Sequence, residues 1–150
     1  LYVAMVTKAY REAIDDYCRD PELYESKKPY YLELLSQVSH RGYNTGFYFG
    51  HPDQNSQVYD SSEYIKQMNF AAKVIGSKDG NLLVEQRNKF SVGDSLYVLL
   101  PEGAPRLYPV QEIRSMDGEL RESAPHAQEQ LLLTAPDYRI PEGTILMKRL

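Results

Sequence analysis

Few residues of this chain have types and spacings that do chemistry, and those few suit binding better than catalysis. The three histidines are His40, His51 and His126, and the single cysteine is Cys18. None of the histidines pairs with another histidine or a carboxylate at the spacing that places two metal ligands on one helix face, and neither Gly-x-Ser-x-Gly nor His-Glu-x-x-His occurs. Cys18 reads as an inert thiol, because no histidine stands near it to draw off its proton. Ser39 precedes His40, but catalytic dyads are assembled in space and sequence neighbours seldom face each other. His40 and Arg41 together suit an anion, either a carboxylate or a phosphate; the alternative is that they tie their loop to the acidic face of a helix. The same twelve residues, Ser39 to Gly50, hold Gly42, Gly46 and Gly50 and four aromatics, Tyr43, Phe47, Tyr48 and Phe49. Those rings either offer a stacking surface for bases or peptide rings or pack the helical part of the chain onto its strand-rich half. Arg87 and Lys89 form a modest basic patch with Lys73 if a hairpin brings them together; otherwise they belong to a mixed, solvated surface. The candidate contact residues are therefore His40, Arg41, Tyr43, Phe47, Tyr48, Arg87 and Lys89, with no catalytic and no metal-binding residue.

The elements that position them change character along the chain. Tyr2, Val3, Val6, Ala9, Tyr10, Ala13, Ile14 and Tyr17 recur at three- and four-residue spacing, which predicts a helix over 2–17 with one apolar stripe. Pro21 limits it. A second helix is expected from Pro29 to Val38, with Tyr31, Leu34, Leu35 and Val38 on its apolar side. Ser39 to Gly50 breaks the periodicity, and the polar stretch His51 to Ser62 reads as a surface linker. From Met68 the pattern becomes that of strands: 70–75, 81–87, 95–100, 107–114, 119–123, 130–134 and 144–149. Asp79-Gly80 and Asp117-Gly118 are hairpin signals, and Asp94 reads as a turn residue whose side chain caps backbone N–H groups. Short strands with turns at this spacing predict a mainly β fold, a small antiparallel β-barrel preceded by two α-helices. The division expected is a helical lead-in and connecting loop over 1–62 and a barrel domain over 63–150.

The bulk numbers fit one compact domain with an appendage: 150 residues, 42% hydrophobic and 25% charged. No apolar run approaches the roughly 20 residues of a membrane span. The net charge of -4 argues against a whole surface built to grip phosphate. The deficit is uneven: Leu1–Met68 carries 7 Lys+Arg against 10 Asp+Glu, and the remainder 10 against 11, so the C-terminal half is nearly neutral. A lone cysteine and no visible signal segment make a reducing, cytoplasmic setting the default. Leu1 is not an initiator methionine and a helix begins at once, so the chain is expected to be a piece of a longer one.

Two stretches carry a family resemblance. Ser39-His40-Arg41-Gly42-Tyr43-Asn44-Thr45-Gly46-Phe47-Tyr48 resembles the Ser-(His/Lys)-Arg-x-Tyr-x-Thr-Gly-Phe-(Tyr/Phe) segment of the collagenase-like peptidase family U32. Asn88 to Leu96, with Val92-Gly93-Asp94, and Pro141 to Leu146 are similar to that family's C-terminal domain, and the helix holding Tyr10 to Asp15 resembles the one that follows its catalytic half. The resemblance implies a C-terminal β-barrel accessory domain like the barrel of translation factors, behind a barrel-like catalytic region. It implies a parent that is either a peptidase, with some members collagenolytic, or a factor in RNA-base hydroxylation such as that of the transfer RNA wobble uridine; other relatives serve ubiquinone hydroxylation. Some relatives hold an iron–sulfur cluster on cysteines upstream of anything in this chain, and Cys18 alone cannot hold one. The implied reading is a non-catalytic C-terminal part without a cofactor of its own. It positions a protein or transfer RNA substrate, or supports the catalytic domain, which would be its partner; the alternatives are a dedicated RNA-binding module and a purely structural cap.

Overall fold

The computed structural model describes residues 1–51 and 64–150. The expected linker and the expected boundary after residue 62 lie outside the described residues. The chain divides into two compact units, Tyr2–Gln67 and Met68–Leu150 together with Leu1.

The first unit is a helical hairpin, α1 (Tyr2–Arg19) and α2 (Pro21–Ser36). Asp20 alone separates them and serves both: its N–H donates to the Asp16 carbonyl at 2.8 Å, and its carboxylate accepts from Glu22 N–H at 2.9 Å. Proline at the next position loses nothing, because the first helical N–H groups have no intrahelical partner. The second helix thus starts eight residues earlier than the periodicity predicts, and Pro29 lies inside it. An internal proline forfeits one helical hydrogen bond, and tertiary contact offsets it: Tyr24 stacks on Tyr31 at 6.0 Å and meets the edge of Tyr17 at 5.6 Å. Met5, Ala9, Tyr31, Leu34 and Val38 are buried.

The second unit has ten strands: β1 (Met68–Lys78), β2 (Asn81–Gln86), β3 (Phe90–Ser91), β4 (Ser95–Leu99), β5 (Arg106–Pro109), β6 (Ile113–Ser115), β7 (Leu120–Arg121), β8 (Ser123–Ala124), β9 (Gln130–Thr134) and β10 (Ile145–Arg149). Eight form one antiparallel sheet in the order β5-β4-β10-β1-β2-β9-β6-β7, and β3 pairs with β8. The β1–β2 turn is Asp79-Gly80, with φ of 50° and 75°, the left-handed pair that a two-residue hairpin requires.

The sheet curls, and three observations require it. β5 and β6 stand six places apart in the order, about 29 Å in a flat sheet at ~4.8 Å per strand. Only Val110, Gln111 and Glu112 join them, and four Cα steps reach at most about 14 Å. Tyr108 on β5 donates its hydroxyl to the Thr134 carbonyl on β9 at 2.6 Å, across five strand places. Every strand except β7 sends a side chain into the same apolar cluster, which includes Val74, Val84, Phe90, Leu96, Ile113 and Leu133. The sequence reading of one strand over 107–114 is thus replaced by two short strands at opposite ends of the sheet. The turn after β3 ties those ends together: Val92 N–H donates to Glu122 O at 2.9 Å, beyond β7, and Gly93 N–H to Val110 O at 2.8 Å, beyond β5. Gly93 has φ +87°, and the Asp94 carboxylate accepts from Ser91 N–H at 2.7 Å and from Lys148 Nζ at 2.6 Å. The fold is mainly β, an antiparallel curled sheet preceded by two helices.

Candidate functional site

The loop that leaves α2 is pinned at its base. His40 and Ile65 exchange both backbone hydrogen bonds, N–H to O at 3.0 and 2.8 Å. Tyr43 turns back and donates its hydroxyl to the Leu35 carbonyl at 2.7 Å, supplying one of the donors that the last turn of a helix lacks. Gly42, at φ +99°, donates its N–H to His40 Nδ1 at 3.0 Å. Nδ1 is therefore the acceptor nitrogen, and the neutral ring carries its proton on Nε2. Nε2 is enclosed and has no hydrogen-bond partner among the described residues. The imidazole stacks on Tyr43, with centroids 4.5 Å apart and planes at 25°. Arg41 lies over the ring of Tyr64 at 4.4 Å, a cation–π contact, and has no ion pair among the described residues.

Beyond this base the backbone makes two further turns. The Asn44 side chain accepts from Gly46 N–H at 2.9 Å, and Tyr48 N–H and Gly50 N–H reach the carbonyls of Thr45 and Phe47. Phe47, Tyr48 and Phe49 are consequently turned outward, 73%, 84% and 82% exposed. Tyr48 and Phe49 meet edge to face at 4.9 Å, and Phe47 meets the edge of His51 at 5.8 Å. His40, Arg41, Tyr43, Phe47 and Tyr48 thus occupy one loop, with a ring-stacked base and an open aromatic tip.

Arg87 and Lys89 belong to the second unit. Arg87 forms an ion pair with Glu85 at 2.5 Å and lies 5.9 Å from the Phe70 ring. Lys73 stands directly opposite Glu85 across the β1–β2 ladder, so the hairpin sets an acid beside both Lys73 and Arg87. Lys89 is exposed.

Sequence reasoning missed a buried polar set inside the helical hairpin. The Asp16 carboxylate, only 8% exposed, accepts from the Tyr31 hydroxyl at 2.6 Å and from Lys27 Nζ at 2.8 Å. The Lys27 hydrogen bond, followed by that of Tyr31, holds the Asp16 carboxyl below its ordinary range. Burial, and then the bond to Asp16, pushes the Tyr31 phenol up. Both acid and phenol lie on faces that helical spacing alone assigns to solvent or to apolar packing. Among the described residues no group of three or more His, Cys, Asp or Glu side chains is arranged to hold a metal ion. A cysteine-held cluster needs several thiolates, and the lone Cys18, exposed near the end of α1, does not fit one.

Residues 66–146 match the Peptidase family U32 C-terminal domain and residues 1–58 match Peptidase family U32. The chain belongs to peptidase family U32. It is 33% identical over 149 residues to tRNA hydroxylation protein P of Escherichia coli, covering 98% of this chain and 32% of that protein. It is 31% identical over 127 residues to tRNA hydroxylation protein P1 of Bacillus subtilis, covering 83% of this chain and 30% of that protein. The chain therefore spans about a third of the length of the curated relatives it matches. A crystal structure of the C-terminal domain of a Geobacillus thermoleovorans protein assigned to the U32 peptidases is 25% identical with a TM-score of 0.46, covering 54% of this chain and 91% of that one. No helix among the described residues is long and apolar enough to cross a membrane.

Proposed function

We propose that this chain is a non-catalytic accessory part of a U32-family protein and that it holds transfer RNA, in the cytoplasm, for chemistry performed elsewhere in that protein. The observation that carries this reading is the 33% identity across nearly the whole chain to a protein named for tRNA hydroxylation. The loop chemistry agrees with it. Exposed rings at Phe47, Tyr48 and Phe49 suit unpaired bases, and the Arg41 guanidinium suits phosphate oxygens. With a net charge of -4, binding has to be local, and this loop offers both a cation and π-faces.

The test is binding of the chain to total cellular transfer RNA. Arg41→Ala is expected to weaken binding and to reduce the salt slope by about 1, as loss of one phosphate contact does. Phe47→Ala and Tyr48→Ala are each expected to cost about 1–3 kcal/mol if their rings stack on bases. Unchanged affinity in all three variants removes the loop from the reading. Binding of gelatin or unfolded collagen with little salt dependence, and none of transfer RNA, assigns the chain to a protein substrate instead.

A further inference from the structure

Much of the apolar stripe of α1 lies off the face that α2 covers, although Ala9 is buried and Tyr17 meets the edge of Tyr24. The buried positions of α1 are Met5, Lys8, Ala9 and Asp16, a face with two charged residues, satisfied by Glu12, Lys27 and Tyr31. Val3, Tyr10, Ile14 and Tyr17 stand 75%, 62%, 52% and 57% exposed, at a spacing that keeps them on one side of the helix through four turns. Leu32 of α2 is 66% exposed. Between the helices lies an open groove of about 310 Å³ whose walls include Ala9, Tyr10, Ala13, Leu32 and Leu35. Its charged residue, Lys28, is already paired with Glu25 at 2.6 Å. A contiguous apolar surface of this kind marks an interaction site. Without free cations it is not one for a phosphate backbone.

The family match supplies the occupant. Residues 66–146 match the U32 C-terminal domain, whereas the hairpin falls in the separate match to Peptidase family U32 over residues 1–58. The hairpin therefore belongs with the part of a U32 protein that precedes its C-terminal domain, and about two-thirds of the relatives' length lies outside this match. We infer that the Val3–Tyr10–Ile14–Tyr17 face and the adjoining groove are the seat of that preceding part of the polypeptide, which presents an apolar face of its own. This goes beyond the tRNA reading and does not depend on it.

The test compares the 150-residue chain with a longer U32 protein that ends in it. In a Cys18→Ser background, Ile14→Cys reacts with a maleimide. The reaction is expected to be fast in the 150-residue chain and slowed by roughly tenfold or more in the longer protein, where the thiol reacts only after local opening. Ile14→Glu with Leu32→Glu is expected to leave the denaturation midpoint of the 150-residue chain unchanged, because both positions are exposed, and to lower that of the longer protein. Equal labelling rates in the two proteins overturn the inference. So does self-association of the 150-residue chain that Ile14→Glu abolishes, since the occupant is then a second copy. No RNA enters these measurements, so failure of the tRNA reading leaves their outcome unaffected.

Discussion

Asp16 concentrates the energetics of the helical hairpin in one side chain. Its carboxylate is the acceptor for a buried phenol and a lysine, so Asp16→Ala leaves the buried Tyr31 hydroxyl without its acceptor. The expected loss is about 1–3 kcal/mol of unfolding free energy at neutral pH, the cost of an unsatisfied buried donor, measured by urea denaturation. The pH dependence comes from linkage. The folded-state pKa of Asp16 lies below its unfolded value, near 3.8, so the unfolded chain binds the proton more readily. The stabilisation is fully present above that value and is lost as pH falls through the lower, folded value. The gap between wild type and Asp16→Ala should therefore narrow in acid, and a gap that stays constant from neutral pH into strong acid would contradict this assignment. Asp94 behaves alike: burial pushes its pKa up, but the Lys148 ammonium and Ser91 N–H outweigh burial and hold it low. The capping role of Asp94 was legible because a Gly-Asp pair before a strand announces a turn. The role of Asp16 was not, because an acid three residues from Arg19 on a helix reads as a surface charge until the partner helix is known.

At the scale of elements, the curl of the sheet rests on a few cross-connections, and Tyr108 makes one of them. Tyr108→Phe keeps the ring in the core and removes only the bond to Thr134, so it should cost about 1 kcal/mol. Burial pushes the Tyr108 phenol up, so it remains protonated at ordinary pH and the loss should not vary between pH 5 and pH 8, roughly. Denaturation at the two pH values checks both points. Much at this scale could be read in advance. The Asp79-Gly80 and Asp117-Gly118 turns carry their own backbone chemistry, and residues 130–134 read as a strand, although the burial of all three of its leucines shows only in the fold. The split of residues 107–114 into β5 and β6 could not be read. The crossing at 110–112 holds neither glycine nor proline, and Pro109 is tolerated at a strand edge, so the stretch looks like one strand until the curl is known. Helix α2 was hidden for a related reason. Pro29 argues locally for a helix start, and only packing of Tyr24 and Tyr31 against α1 keeps the helix running through it. In the candidate loop, the residue types at His40–Phe49 pointed to binding, but the ring stack of His40 on Tyr43 and the outward turn of Phe47 and Tyr48 depend on the His40–Ile65 bridge, a contact 25 residues apart in sequence.

For the whole molecule, the two family matches fall on the two compact units, with Peptidase family U32 over residues 1–58 and its C-terminal domain over 66–146. The helical unit carries an exposed apolar face and the aromatic loop; the β unit carries a buried apolar core and a surface of mixed charge. On the proposed reading, docking and transfer RNA contact fall to the helical unit. The most direct test is the affinity of the wild-type chain for total transfer RNA at about 50 mM and about 200 mM salt, a range over which phosphate contacts lose much of their strength. Measurable binding at the lower salt that weakens steeply at the higher is expected. Absence of binding at both concentrations, or an affinity that salt leaves unchanged, would contradict the proposed reading.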